Sequence, residues 1–169
     1  MALIPKVLKN FNLVVRGQGF AGIVDEVTLP HLKIKEEEHR AGGMDAPAPI
    51  DMGMDKLELK FMLAEHHSTV YGGFGIISGR AVDLIFRGAK VGDGAVVEPM
   101  IIEARGMYSE IEGAKVKAGD KDSMSATVSL DYYKLTMNGV VLIEIDIKNM
   151  IRRINGDDQL AAIRAAIDV

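Results

Sequence analysis

The sequence has no cysteine and no tryptophan, and aromatic residues make up only 5% of it. Without cysteine the chain can form neither disulfides nor cysteine-ligated zinc sites. Because no apolar run is long enough for a membrane span or a signal peptide, we expect a soluble protein made in the cytoplasm. Acidic residues outnumber basic ones only 24 to 20, and this slightly negative balance disfavours tight binding of nucleic acid through a basic patch.

The sequence does contain long stretches in which apolar and polar residues alternate. This alternation predicts a mainly β fold, and the length of 169 residues predicts a single domain over 1–169. The strand signal is strongest at 21–35, 57–63, 82–86 and 96–108. Only two segments suggest helix: 157–167, with an aspartate cap and apolar residues at helical spacing, and 65–71, which has room for one turn.

A long hairpin over 124–150 is the strongest local prediction. Asn138-Gly139 is the preferred pair for a two-residue type I′ turn, which fixes the register of the two strands. In that register Leu130, Tyr132 and Lys134 share a core face with Ile147, Ile145 and Ile143. The other, wet face pairs Ser129 with Lys148, Asp131 with Asp146, and Tyr133 with Glu144.

The tip of this hairpin is unusual, because its wet face turns apolar. Leu135 would oppose Leu142, and Met137 would oppose Val140, outside the core. Two explanations fit: a bulge near Tyr132-Tyr133 or burial by the same chain, or cover by a neighbouring subunit. Long strands also leave edges that recruit other chains, and repeated pairing around a ring would close a barrel.

Searches for catalytic or metal-binding patterns give little. The four histidines have no HExxH spacing, and His39 with Asp45, Asp51 and Asp55 matches no known metal loop. There is no nucleophile elbow and no phosphate-binding loop. We therefore expect no enzyme, no metal site and no cofactor.

The segment at about 37–55 combines features of a contact arm. Gly42-Gly43 allow unusual backbone angles, 46–49 is stiff because of its two prolines, and Met44, Met52 and Met54 are adaptable apolar contacts. Such an arm between two strands favours packing against a neighbour. The alternative is an ordinary long loop folded back on its own domain.

Three stretches carry a resemblance to a known family: MALIPKVLKNFNL at the start, EEHRAGGMDAPAPIDMGMDKLE in the arm, and NGVVLIEIDIKNMIRRINGDDQLAAIRAAI at the end. With these stretches the chain resembles the major tail tube proteins of P2-like contractile-tailed phages and R-type pyocins. The resemblance implies a tail-tube β-sandwich or split barrel with one or two short helices. It also implies hexameric rings stacked into a rigid tube, in which strands from six subunits join a continuous inner barrel.

The resemblance further implies a structural role in the virion or tailocin particle, with assembly in the cytoplasm of the bacterial host. The implied partners are other copies of the chain, the sheath, and the baseplate, tail-terminator and tape-measure proteins. In a phage, double-stranded DNA would pass through the tube, whereas a pyocin-like tube would puncture the envelope. The alternatives are the tube of a type VI secretion or extracellular injection system and, from another class, a small-molecule-binding β-barrel enzyme.

Two sets of site residues follow as expectations from the hairpin, the arm and the resemblance. Those expected to line the lumen, with a negative lining that repels DNA, are Ser129, Asp131, Tyr133, Glu144, Asp146 and Lys148. Those expected to contact other subunits are His39, Arg40, Gly42, Gly43, Met44, Asp45, Pro47, Met52, Met54, Leu135, Met137, Val140 and Leu142.

Overall fold

The computed structural model describes residues 4–75, 81–92, 94 and 96–168, which form strands and two short helices. The strands are β1 (Val7–Val15), β2 (Gln18–Gly19), β3 (Val24–Thr28), β4 (Ile34–His39), β5 (Ala48–Met54), β6 (Glu58–Leu63), β7 (Val82–Val91), β8 (Val97–Gly113), β9 (Met124–Met137), β10 (Val140–Asp146), β11 (Ile151–Ile154) and β12 (Asp157–Asp158). The helices are α1 (Ser68–Tyr71) and α2 (Ala161–Ala166). This composition confirms the predicted mainly β class. Neither helix is long and apolar enough to cross a membrane.

Ten strands belong to one antiparallel sheet that splits at β9. The main path runs β12-β11-β10-β9-β8-β7-β1-β2. On its side away from β8, β9 pairs first with β6 and then with β10, and β6 in turn pairs with β3. The sheet therefore folds into two layers around one core. Within the described part of a single chain, it does not close into a barrel.

The change of partner along β9 occurs at a β-bulge. Gly106 of β8 pairs with Leu130, while the preceding Arg105 pairs with Tyr132, so Asp131 is the extra residue. A bulge bends its strand and increases the local twist. This bend lets the first half of β9 serve one layer and the second half serve the other.

The core lies between the two layers and is formed by alternate residues of each strand. The strand predicted at 57–63 is confirmed as β6, and its alternate residues Leu59, Phe61 and Leu63 are at most 1% exposed. β8 and β9 contribute even-numbered residues up to the bulge. Beyond it, Tyr133 is buried in place of Tyr132, since one extra residue reverses the facing of every later side chain.

Among the described residues, three two-residue turns have the positive φ angles of type I′ hairpins. Their residue pairs are Arg16-Gly17, Asn138-Gly139 and Asn155-Gly156, all with positive φ. Because the type I′ twist matches that of the strands, these pairs fix tight hairpins. The predicted turn at Asn138-Gly139 is confirmed, with Met137 opposite Val140.

The register predicted beyond this turn is wrong. A shift between Val141 and Ile143 offsets the rest of the ladder by one residue. Asp146 consequently opposes Tyr132 and does not oppose Asp131. The destabilising Asp131–Asp146 pair does not exist. A bulge near Tyr132-Tyr133 that shifts the register was one explanation for the apolar tip of the hairpin. The structure has such a register shift, but it lies nearer the turn.

The C-terminal helix is shorter than the predicted 157–167. Asp157 and Asp158 pair with β11 as β12, which delays the helix until Ala161. Asp158 still acts at its start, because its carboxylate accepts a hydrogen bond from the Leu160 N–H at 3.1 Å. It also accepts one from Arg164 at 2.6 Å, and this bond lowers the pKa of Asp158.

The hydroxyl of Tyr108 is buried without a hydrogen-bond partner among the described residues. The residue is only 6% exposed. Burial raises the pKa of Tyr108 to about 12. The folded chain therefore keeps this proton over a pH range in which the unfolded chain, with an ordinary pKa of about 10, loses it.

Tyr108→Phe is expected to protect the protein against alkaline unfolding. The stability that Tyr108 contributes is complete below about pH 10 and is lost as the pH rises towards 12, because only the unfolded state ionises in that window. Urea unfolding at pH 7 should show equal or slightly higher stability for the variant, since an unpaired buried hydroxyl is removed. Between pH 10 and 11.5 the variant should lose less stability than the wild type. An identical alkaline loss in both proteins would contradict the assignment.

Candidate assembly surfaces

The arm predicted at 37–55 is a β-hairpin, formed by β4 and β5. It makes a separate two-stranded sheet whose strands pair with no other strand of the described chain. Glu37 opposes Ile50, and His39 opposes Ala48 at the outer end. Ile50 and Met52 are 45% and 53% exposed. An isolated hairpin of this kind is only marginally stable in water, so contacts with another surface would stabilise it.

Polar contacts at its base fix the direction of the arm. Asp51 accepts a hydrogen bond from the Arg152 guanidinium at 3.1 Å, and Asp55 lies 3.4 Å from Lys33. The backbone N–H of Gly53, 2.7 Å from the Asp51 carboxylate, lowers the pKa of Asp51, and Arg152 adds to this effect. The arm is thus tied to the β10–β11 side of the body.

An apolar groove of about 520 Å³ lies between the arm base, the β10–β11 turn and α2. Its apolar lining is Met54, Leu57, Ile145, Ile147, Met150, Ile151, Leu160 and Ile163. Ile147 and Ile163 are 54% and 50% exposed. The groove is a second apolar surface beside the arm.

The residues expected to contact other subunits fall into two groups. Those of the arm are exposed, apart from half-buried Met44 and Met54. Met54 and Leu135 pack against the core of their own chain, so Leu135 fits the explanation of burial by the same chain. Met137 and Leu142 are half-buried, whereas Val140 remains 59% exposed.

The outer face of the β7–β10 sheet, away from the core, carries a ladder of alternating charges. Lys134 lies 2.7 Å from Glu103 on the neighbouring strand and directly opposes Glu144 on the other side. Glu144 in turn contacts Arg153 at 2.5 Å and accepts a hydrogen bond from the Tyr132 hydroxyl at 3.1 Å. The hydrogen bond to Glu103 raises the pKa of Lys134. Each acid of this ladder has a basic partner.

Asp131, the bulge residue, joins the same face. Its carboxylate contacts Lys148 and lies 3.5 Å from the Arg105 guanidinium. That guanidinium is 5.5 Å from the centre of the Tyr132 ring, within range of a cation–π contact. Glu103, Arg105 and Arg153 were not predicted on this face, and the prediction that Lys134 lies on the core face is wrong. The sequence shows these charged residues as part of the alternation within each strand. It does not show their ion-pair partners, because those lie on different strands.

The six residues expected to line the lumen do not form one wet, negative face. Tyr133 is 3% exposed in the core. Asp146 is 8% exposed and accepts hydrogen bonds from the backbone and side chain of Asn149, at 3.1 and 2.7 Å. Ser129, Asp131, Glu144 and Lys148 retain some exposure. Among them both acids are paired with basic side chains.

In the described residues, no three histidine, aspartate or glutamate side chains are arranged to hold a metal ion. His66 has a structural environment instead. Its Nδ1 lies 2.5 Å from the Tyr71 hydroxyl, and its Nε2 lies 2.9 Å from the Asp122 carboxylate. His67 caps α1 by accepting a hydrogen bond from the Thr69 N–H.

The described residues thus form an open sheet, a separate two-stranded arm and a charge-balanced outer face. Solved structures share the fold. A chain of the sheath–tube complex of an extracellular contractile injection system, PVC, matches with a TM-score of 0.61 at 10% identity, over 78% of this chain and 91% of that one. A chain of the anti-feeding prophage baseplate matches with a TM-score of 0.53 at 13% identity, over 88% and 99%. These matches show that the fold is shared with chains of contractile injection systems.

Sequence comparison narrows the class to one family. The chain belongs to the phage tail tube protein FII family, whose model matches residues 5–167. It is 33% identical to the tail tube protein of Escherichia phage P2, over 97% of this chain and 98% of that protein. It is 32% identical to the major tail tube protein of Serratia phage KSP20, over 90% of each. The family supports a structural role in a contractile tail and a place in the virion.

Proposed function

We propose that copies of this chain close into hexameric rings that stack into the inner tube of a contractile tail. The observation that carries the proposal is the full-length match to phage tail tube proteins. The open sheet supports it. In the described chain, β2 covers β1 only at Val14 and Val15, so most of the outer side of β1 is left for another strand. Pairing of such edges around a ring would close the sheet into a barrel.

The outer face of the β7–β10 sheet lines the lumen in this proposal. Its ladder of paired acids and bases offers a DNA backbone neither a strongly attractive nor a strongly repulsive surface. A wall of this kind lets a highly charged polymer slide, because few counterions are released by contact with it. The negative lining expected from the sequence is replaced by a nearly balanced one.

The arm and the groove supply the remaining contacts. The arm reaches a neighbouring subunit or ring, and the outside of the tube holds the sheath. Baseplate, tail-terminator and tape-measure proteins would meet the tube at its ends or inside it, and assembly would occur in the host cytoplasm. The phage relatives favour double-stranded DNA as the cargo. An envelope-puncturing pyocin-like particle or an injection system would use the same fold.

Single introduced cysteines test the lumen assignment cleanly, because the natural sequence has none. Glu103→Cys places a thiol on the charge ladder, and Lys60→Cys places a matched thiol on the exposed outer side of β6. Negative-stain microscopy should first show rings or hollow rods for both. In rods, a small maleimide should label both thiols, whereas a bulky polyethylene-glycol maleimide should label only the Lys60→Cys protein.

Unassembled protein is the control, and there both reagents should label both variants. Equal labelling of the two rod preparations by the bulky reagent would contradict a lumenal position for Glu103. Absence of rings and rods from the wild type at every concentration would contradict the proposed function itself.

A further inference from the structure

The outer edge of β1 is open beyond β2, and its backbone groups point there in a fixed alternation. Groups of successive residues in a strand point to opposite neighbours. Just after β1, the Arg16 N–H donates to the Asp83 carbonyl on β7 at 2.9 Å. The Leu13 carbonyl instead accepts from the Phe20 N–H at 2.8 Å, on the outer side. Because Phe11 lies two residues before Leu13, its N–H also points to the outer side.

The carboxamide of Asn10 already occupies this outer N–H in the single chain. Its Oδ1 accepts a hydrogen bond from the Phe11 N–H at 2.8 Å, and we call this contact the edge cap. A strand that adds to an antiparallel edge needs the outer N–H groups as donors for its own ladder. The Asn10 side chain therefore competes with an incoming strand for the Phe11 N–H.

Two further features disfavour strand pairing at the same point. The register of β1 against β7 shifts between Leu8 and Asn10, so Lys9 is an extra residue that forms a bulge. A bulge increases the local twist of an edge, and an exposed lysine on an edge strand opposes association with another strand. The bulge, the exposed lysine and the capped N–H occupy the consecutive residues 9–11. This part of the edge is therefore protected in the single chain.

The edge cap can be removed without disturbing the strand that carries it. Asn10 is exposed, so rotation of its side chain meets solvent and breaks no contact of the core. Phe11 stays in place during such a rotation, because its ring packs against the core and stacks on Phe86 at 5.5 Å between ring centroids. The N–H of Phe11 is thus held in position and only its acceptor changes.

We propose that Asn10 is a removable cap that delays pairing of the β1 edge until a ring forms. The proposal rests on the proposed function, in which the outer side of β1 meets a strand of another copy. In the single chain the edge cap satisfies the Phe11 N–H and keeps the edge from pairing with any exposed strand. In the ring, the Phe11 N–H donates to the neighbouring strand and the Asn10 carboxamide turns away. Asn10 therefore raises the protein concentration that assembly requires.

Asn10→Ala should lower the protein concentration at which rods first form, by about twofold to tenfold. This range is the usual net effect of one neutral hydrogen bond on an equilibrium, and each subunit contributes one such edge. Light scattering of a dilution series gives the threshold concentration, and negative-stain microscopy identifies the rods. Circular dichroism should show an unchanged fold, because the side chain is exposed.

Asn12→Ala is the matched control for this variant. Asn12 lies on the same face of β1, but its backbone groups point to β7, where it opposes Arg87. Its Oδ1 has no hydrogen-bond partner among the described residues, so no bond is lost on its removal. The same chemical change should therefore leave the threshold concentration within about a factor of two of the wild-type value.

Asn10→Asp tests the opposite direction. A carboxylate accepts a stronger hydrogen bond than a carboxamide, so this variant should raise the threshold concentration for rods. Asn12→Asp adds the same charge without a contact to the Phe11 N–H and should raise the threshold less. This pair of variants decides the question if Asn10→Ala does not fold.

Hydrogen exchange at the Phe11 amide tests the edge cap independently of assembly. In dilute, unassembled protein, NMR should show this amide exchanging about twofold to tenfold faster in Asn10→Ala than in the wild type. Asn12→Ala should leave the rate unchanged. In rods of both proteins the same amide should be strongly protected, because it then belongs to a strand ladder.

Several results would overturn the inference. They are equal thresholds for the wild type and Asn10→Ala, equal effects of the two alanine variants, equal effects of the two aspartate variants, and a Phe11 exchange rate that Asn10→Ala does not change. Failure of the wild type to form rings at every concentration would instead contradict the proposed function. The exchange rates of the unassembled proteins would still decide whether the edge cap exists.

Discussion

Gly106→Ala is expected to prevent the chain from folding, with a loss of more than about 4 kcal/mol of stability. A Cβ atom at this position would lie 2.0 Å from the carbonyl oxygen of Ser129 and 2.9 Å from the Cα of Leu130. Both are backbone atoms, so no side-chain movement can relieve the clash. The clash would fall at the β9 bulge, where the two layers of the sheet separate.

The cost is large because both strands are fixed by further bonds. The Leu130 N–H donates to the Leu57 carbonyl at 2.9 Å on the β6 side, and the Ile147 N–H donates to the Asp131 carbonyl at 2.9 Å after β10. Moving β9 away from Gly106 would break either the hydrogen bond to β6 or the one to the segment after β10. The measurement is urea unfolding followed by circular dichroism, with the fraction of soluble protein recorded beside it.

Gly42→Ala provides the matched control for this substitution. A Cβ atom at Gly42 meets nothing within 4 Å, and its φ is not positive. The same chemical change should therefore alter stability by no more than about 0.5 kcal/mol. If the free energy of unfolding of the Gly106→Ala protein lies within about 1 kcal/mol of the wild-type value, the close approach of β8 to β9 at Gly106 is not rigid.

Deletion of 42–49 is expected to leave a folded monomer that forms no tubes. The deletion removes the outer half of the arm and joins Ala41 to Ile50. Glu37 can still oppose Ile50 across a four-residue loop, a length that hairpins commonly use. The core contains no residue of the deleted segment, so thermal unfolding should change by only a few degrees.

Loss of assembly would follow from the loss of contact area on the arm. A second variant distinguishes the effect of apolar contact area from the effect of arm length. Ile50→Ser with Met52→Ser keeps the whole arm but removes its two large exposed apolar side chains. It should also be folded and fail to form rods, or form them only at much higher protein concentration. Tubes of normal length from the deletion protein would exclude the arm from assembly.

Local sequence signals predicted much of the fold. Alternation in β6 and β7 identified their buried residues, because a strand with one face in a core needs an apolar residue at every second position. Asn138-Gly139 identified a hairpin, because few other pairs adopt two consecutive positive φ angles. The mainly β class and the two short helices followed from the same signals.

The predictions that failed concern the relation between distant strands. One inserted residue near Leu142 moved Asp146 out of opposition to Asp131, and a bulge at Asp131 sent Tyr133 into the core. Neither insertion can be recognised from the alternation of apolar and polar residues, because this alternation is compatible with either register. The C-terminal helix was predicted too long because Asp157 and Asp158 pair with β11 instead of beginning the helix.

The sequence by itself determined that β6 to β10 are strands, where the tight turn of the long hairpin lies, and that an arm rich in glycine, proline and methionine interrupts the sheet. The tertiary structure alone decided which charges meet on the outer face and which side of the sheet each residue of the long hairpin faces. The physical reason is range. Turn geometry and alternation act within a few residues, whereas the Glu103–Lys134 and Glu144–Arg153 pairs depend on the order and stagger of different strands.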